Sequence, residues 1–221
     1  MLARISLGRV GHSLPTKELL AFQLAHAKAR DAVLNDLNCT FFASYKPLIV
    51  HSSAPNRAIY LRRPDLGRRL ADPEKIPRGD YDAALILADG LSATAVHRHA
   101  GPVLDALLPL LEGWKLAPLC VALQGRVAIA DEIGELLGAR MTVILIGERP
   151  GLSSPDSLGT YLTWSPRVGR TDAERNCISN IREEGLKPAL AAQRIVMLMS
   201  AARGQGISGI HLKLGMLTNV N

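Results

Sequence analysis

Three short polar segments follow directly on apolar runs in this chain. They are Asp89-Gly90-Leu91-Ser92 after Ala83–Ala88, Gln124-Gly125-Arg126 after Ala117–Leu123, and Gly147-Glu148-Arg149-Pro150-Gly151 after Met141–Ile146. If the apolar runs are buried parallel strands, these segments are their carboxyl ends, and open parallel sheets bind ligands beyond such ends. Glycine-rich connections also turn for purely geometric reasons, so composition alone leaves site and turn both open. The stretch from Gly147 to Arg182 adds weight to the first reading. It has little helical period and is long for a connection, and such loops are commonly functional or disordered. Apolar anchors (Tyr161, Leu162, Trp164, Cys177, Ile178, Ile181) argue against disorder, and Ser153, Asp156, Arg167, Arg170, Asn176 and Asn180 lie between or before them. That mixture suits a large polar ligand carrying amide or phosphate groups; the competing reading is a well-packed structural excursion.

Other candidate motifs carry less chemistry. Gly204-Gln-Gly206-Ile-Ser-Gly209 matches GxGxxG by letter. The dinucleotide mechanism needs a strand before that motif and a helix after it, and here a helical pattern precedes it. His97 and His99 are two apart, hence on different helix faces, with no acidic cluster to complete a metal site; they read as surface or interface residues. Cys177 has basic neighbours that favour a thiolate, yet no histidine lies nearby in sequence to make a nucleophilic pair. Asn38-Cys-Thr40 has the form of a glycosylation acceptor, idle without a secretion signal. With no Walker loop, nucleophile elbow or HExxH, the chain lacks a self-sufficient catalytic constellation, which favours a subunit or binding module.

Composition narrows the class further. The 221 residues are 48% hydrophobic, enough for a packed core, and 26 Lys+Arg against 20 Asp+Glu leave a net charge of +6. A positive excess favours anionic ligands or acidic partner surfaces. It is too diffuse to indicate nucleic acid, and with only 4% aromatic residues there is no stacking platform for single strands. The three cysteines, at 39, 120 and 177, form no CxxC pair, which excludes a disulfide scaffold and a Cys-rich zinc site and fits a reducing compartment. No apolar run approaches the roughly 18 residues that span a bilayer. Basic residues concentrate before the apolar runs, at Arg4, Arg9, Arg62, Arg63, Arg68 and Arg69, as a partner-binding surface would.

The elements that must position these groups alternate. After an extended arm from Arg4 to Ser13, the period predicts a helix over Thr16–Val33, and residues 34–82 are irregular, with a short strand at Leu48–His51 and a linker from Asp72 to Gly79. Ala83–Ala88 is uniformly apolar, as a strand covered on both faces is. A helix follows Ser92 to about Leu111, broken or kinked near Pro102. Then come the Ala117–Leu123 strand, a helix from Val127 to Leu137, the Met141–Ile146 strand, the long loop, a helix over Pro188–Arg203 and a last strand at Ile210–Leu214. The order predicts a parallel, Rossmann-like α/β sheet flanked by helices. An N-terminal arm and helical part would occupy residues 1–45 and the α/β domain residues 46–221.

Several runs resemble the small (light) subunit of ethanolamine ammonia-lyase. The most specific are Gly147-Glu-Arg-Pro-Gly-Leu-Ser-Ser-Pro-Asp-Ser-Leu-Gly-Thr-Tyr-Leu-Thr163 and Arg167-Val-Gly-Arg-Thr-Asp-Ala-Glu-Arg-Asn-Cys-Ile-Ser-Asn-Ile-Arg182. Ser13-Leu-Pro-Thr-Lys-Glu-Leu-Leu-Ala-Phe-Gln23, Tyr60-Leu-Arg-Arg-Pro-Asp-Leu-Gly-Arg-Arg69, Ala88-Asp-Gly-Leu-Ser92 and Arg126-Val-Ala128 match as well. The resemblance implies a subunit of an adenosylcobalamin-dependent lyase that converts ethanolamine to acetaldehyde and ammonia. The large subunit would hold the substrate and the radical chemistry, and this chain would cover the cofactor at the interface. By match to the family pattern, Val127, Glu148 and Cys177 are the implied cobalamin contacts. It implies a cytoplasmic hetero-oligomer, inside or outside a bacterial microcompartment, with no catalytic residue, metal ligand, nucleic acid or membrane of its own. The other class consistent with the residues is a stand-alone nucleotide- or corrinoid-binding module.

Overall fold

The computed structural model describes Gly11 and residues 13–213. Most of the expected N-terminal arm, with Arg4 and Arg9, and the Leu214 end of the expected last strand lie outside the described residues.

A six-stranded sheet in the order β1-β3-β2-β4-β5-β6 organises the chain. β1 (Leu48–His51), β2 (Tyr81–Ala88), β3 (Cys120–Leu123) and β4 (Ala139–Gly147) are parallel. Every side chain from Ala83 to Ala88 is buried, as an apolar strand between two helical layers must be. One layer is α3 (Ala93–Leu107) with α5 (Pro188–Gln205), packed on Leu85, Leu87, Val121, Val143 and Leu145. The opposite layer is α4 (Ile129–Leu137), whose Ile129, Ile133 and Leu137 meet Ala84, Ile86, Ala122 and Ile144. The helices after the neighbouring strands β2 and β3 thus cover opposite faces, and that divergence opens a crevice between their carboxyl ends.

Ahead of the sheet, α1 (Thr16–Leu34) leaves Leu20, Phe22 and Leu24 exposed, and α2 (Arg57–Arg62) sits inside the stretch read as irregular. The helix after Ser92 runs through Pro102 without a break. Pro102 faces outward while Ala100, Val103 and Leu104 are buried. Packing of that face offsets the hydrogen bond the proline removes.

The long loop expected from 147 to 182 is replaced by two strands, β5 (Leu158–Trp164) and β6 (Arg175–Ile181), which extend the sheet antiparallel from β4. The parallel sheet is therefore a mixed one. Leu158, Leu162, Ile178 and Ile181 join the α3–α5 core, while Tyr161, Thr163, Arg175 and Cys177 face the α4 side. Between the Leu158↔Ile181 and Thr160↔Ile178 pairs β6 carries one extra residue, a bulge at which Asn180 takes φ 60°. The strand expected at 210–214 is a 3-10 turn over Gly209–His211. There Asn176 takes the backbone of Gly209 through its side chain, at 2.7 Å to the N–H and 3.2 Å to the carbonyl, in place of a ladder.

A buried ion pair ties the hairpin to the helical layer. Arg175 grips Asp131 of α4 through two 2.7 Å bonds and Thr163 Oγ1 through one of 2.9 Å, with both charged side chains 2% exposed. Arg175→Met should lower the unfolding free energy by about 3–5 kcal/mol, because it leaves the Asp131 charge buried without its partner. Urea denaturation measures this, and an unchanged midpoint would mean that the hairpin is held without the pair.

Candidate functional site

The crevice between β2 and β3 is filled by a carboxylate. Asp89, the first residue after β2, is fully buried and accepts from the backbone N–H of Gln124 at 3.0 Å and of Gly125 at 2.9 Å. Arg57 of α2 reaches in with Nη1, 3.2 Å from Asp89 Oδ2 and 2.9 Å from the Gly90 carbonyl, and its Nε donates to Val33 O at the end of α1. These bonds hold Gln124 in a left-handed turn at φ 56°, a conformation that a non-glycine residue keeps only when its surroundings impose it. Burial pushes the Asp89 carboxyl up to about 6, against the opposing pull of Arg57 and the two backbone donors.

Tyr60 completes the floor. Its hydroxyl donates to the Gly125 carbonyl at 2.9 Å, burial raises its pKa, and the guanidinium carbons of Arg57 and Arg126 lie 4.9 and 4.3 Å from its ring centre. The Arg126 N–H is fixed by Gly67 O at 2.7 Å. A Cβ on Gly67 would come within 3.0 Å of both Tyr60 and Arg126, so only glycine allows the three to meet.

Above this floor lies a cavity of about 650 Å³, lined by Arg68, Arg126, Val127, Arg149, Asp172 and Arg175 among others. It runs beside the α4 side of the β5–β6 hairpin, where Tyr161 is half-buried and Cys177 exposed. Of the three residues singled out by resemblance, Val127 lines this cavity, while Glu148 and Cys177 lie outside its lining, at the hairpin. Val127 lines the cavity just before α4. Glu148 leaves β4 and lies over Gly159, where an added Cβ would be 3.0 Å from Glu148 Oε1. Glu148 Oε2 accepts from the Ser157 hydroxyl and from the Asn180 N–H that the bulge releases, whereas Oε1 accepts nothing among the described residues. Neither Arg149 nor Arg126 pairs with Glu148, so the expected alternative of a loop-tidying ion pair is absent among the described residues. Cys177 stands opposite Tyr161 on β6; burial and the Glu148 carboxylate push its thiol up, against a hydrogen bond with Tyr161. The nucleophile its basic neighbours hinted at does not form. Cys177 is a neutral, soft contact surface.

The Arg57–Asp89–Tyr60 cluster escaped the sequence reading, since Arg57 and Tyr60 fall in the stretch taken as irregular. The one available signal was an acidic residue placed directly after a fully apolar strand. His97 and His99 serve packing. His97 Nε2 accepts the Asn38 N–H at 2.8 Å and its ring stacks on Phe41, while His99 is buried rather than on the surface. Among the described residues no group of three His, Cys, Asp or Glu could hold a metal, and no helix is long and apolar enough to cross a membrane.

The structure is a mixed α/β sheet with an arginine-lined cavity beside its antiparallel hairpin. The family described as ethanolamine ammonia-lyase light chain (EutC) matches residues 1–213. Proteins named ethanolamine ammonia-lyase small subunit are similar along nearly the whole chain. The one from Azotobacter vinelandii is 57% identical, covering 96% of this chain and 84% of its own length. Those from Pseudomonas paraeruginosa and Ralstonia nicotianae are each 54% identical, over 96% of this chain and 83% and 84% of theirs. The chain belongs to the ethanolamine ammonia-lyase light-chain family. That membership makes it a subunit of a lyase.

The Asp89 cluster predicts two effects. Asp89→Ala leaves Arg57 and two backbone donors buried without an acceptor and should cost about 3–5 kcal/mol in urea unfolding. Because Asp89 titrates higher folded than unfolded, its contribution to stability is full below 3.8 and is lost as pH rises through about 6. Asp89→Asn has no such titration, so the difference between wild type and this variant should shrink across that interval. A flat difference would contradict an Asp89 that ionises there.

Proposed function

We propose that this chain is the small subunit of an adenosylcobalamin-dependent ethanolamine ammonia-lyase, and that its ligand face closes one side of the cofactor site against a large subunit. The observation that carries the reading is the arginine-lined cavity that Val127 lines, beside the hairpin on which Cys177 is exposed and over which Glu148 lies. Two groups support the fit: Glu148 Oε1, which is not buried, accepts from no described donor, and the Arg126 guanidinium makes no ion pair or hydrogen bond among the described residues. A ligand rich in amides and anionic oxygens is the natural complement of a free carboxylate oxygen and an unpaired guanidinium.

When bound, the cofactor supplies the radical chemistry through its cobalt–carbon bond. This chain's residues bind, orient and enclose. Glu148 Oε1 accepts an amide or hydroxyl hydrogen of the ligand while Oε2, held by Ser157 and Asn180, fixes the carboxylate's direction. Val127 offers an apolar wall at the start of α4, and the protonated Cys177 thiol a small soft contact that excludes water. Ethanolamine and its reacting atoms belong to the large subunit on this reading, which accounts for a ligand face without an acid–base pair. A stand-alone corrinoid-binding module would need the same face covered by something other than a large subunit.

Two substitutions test the assignment in the complex reconstituted with the large subunit. Glu148→Gln keeps an oxygen for Ser157 and Asn180 but turns a donor toward the ligand. Cofactor affinity should fall about tenfold or more, as expected for a charged hydrogen bond of about 1.5–3 kcal/mol, with little change in melting temperature. Glu148→Ala should lower both. Unchanged affinity with a lowered melting temperature would make Glu148 a purely structural residue.

A further inference from the structure

The cavity of about 650 Å³ beside α4 holds more positive charge than the fold uses. Of its arginines, Arg175 is committed to Asp131, and Arg170 to Glu174 and the Ser165 carbonyl. Arg68, Arg126 and Arg149 make no ion pair and no side-chain hydrogen bond among the described residues. They come from three separate places: the turn after α2, the β3–α4 connection and the loop after β4. Asp172, the one acid lining the cavity, is fully exposed and 3.4 Å from Arg175 Nε. Arg126 is the pivot. Its backbone is fixed by Gly67, its guanidinium is stacked on Tyr60, and its Nε is buried without an acceptor. The Val127 and Ala128 N–H groups, at the start of α4 and lining the same cavity, donate to no described acceptor.

We infer that this cavity is a phosphate-binding site, with Arg126 at its base and Arg68 and Arg149 on its rim. Three uncommitted guanidinium groups converging on one concavity match an anion whose oxygens accept several donors at once. A single surface carboxylate of a partner protein would satisfy one fork and leave the others idle. The occupant rests on the cofactor reading above: cobalamin carries one phosphodiester, in the tail that links its ring to its nucleotide base, and we assign the cavity to that group. A free phosphate would use the same chemistry.

The test measures equilibrium affinity in the complex with the large subunit, by absorbance or calorimetry, for adenosylcobalamin and for adenosylcobinamide, which lacks the nucleotide tail and its phosphodiester. Arg126→Gln and Arg149→Gln are the variants; Arg149 is exposed and makes no ion pair or side-chain hydrogen bond among the described residues, so its loss should leave the fold intact. Each should weaken adenosylcobalamin about tenfold or more and adenosylcobinamide by less than twofold. Equal losses for both ligands, or no loss for either, would overturn the assignment while leaving the cofactor reading standing. If wild-type complex binds neither corrinoid, the cofactor reading fails, and inorganic phosphate decides the site. Phosphate binding that Arg126→Gln abolishes supports an anion site for free phosphate, and absence of phosphate binding overturns it.

Discussion

Asp89 is fully buried, and three donors from two other parts of the chain close around its carboxylate: Arg57 from α2, and the Gln124 and Gly125 amides from the β3–α4 turn. Parallel strands whose helices leave on opposite faces must part at their carboxyl ends, and something has to fill the gap. In many α/β proteins a ligand does so; here a side chain does. The consequence is a displaced site. With the crevice floor occupied by Asp89 and Tyr60, the turn after β3 is locked, and Arg126 and Val127 project beyond it toward the hairpin.

The antiparallel strands β5 and β6 supply the other wall. They extend the sheet antiparallel beyond β4, and on their α4-side face Arg175 is held by Asp131 of α4, Tyr161 is half-buried and Cys177 is exposed. Such a face in a lone domain would be wasted area; in a lyase subunit it is a surface to be covered. Two devices make it rigid. The Arg175–Asp131 pair anchors β6 to α4, and the β6 bulge lends the Asn180 amide to Glu148. On the proposed reading, binding is built on sheet and helix rather than on free loops, which favours orientation of a large ligand over adaptation to it.

Much of this was legible in the chain. Ala83–Ala88 announces a doubly covered strand by composition alone, and the polar turns after each apolar run marked the carboxyl ends of β2, β3 and β4. Val127, Glu148 and Cys177 came from resemblance, because a valine at a helix start or a lone cysteine has no signature of its own. The hairpin was hidden because its two faces are mixed: Thr160 and Thr163 interrupt the alternation of β5, and Arg175, Asn176, Ser179 and Asn180 make β6 look like loop. Arg57 and Tyr60 were hidden for a different reason. Their partners, Asp89 and Gly125, lie 32 and 65 residues away, and no local pattern encodes a pairing at that distance. Within the basic run read as a partner surface, Arg69 pairs with Glu132 and Arg63 with Asp65, and both arginine side chains stay exposed.

The central claim is that this face, and not another, meets the cofactor. Amide hydrogen exchange on the complex with the large subunit, with and without adenosylcobalamin, tests it most directly. The account predicts slowed exchange in this chain at residues 126–128, 147–149, 159–161 and 177–180, with α1 and α5 unchanged. Slowing confined to other segments, or none in this chain, would contradict it.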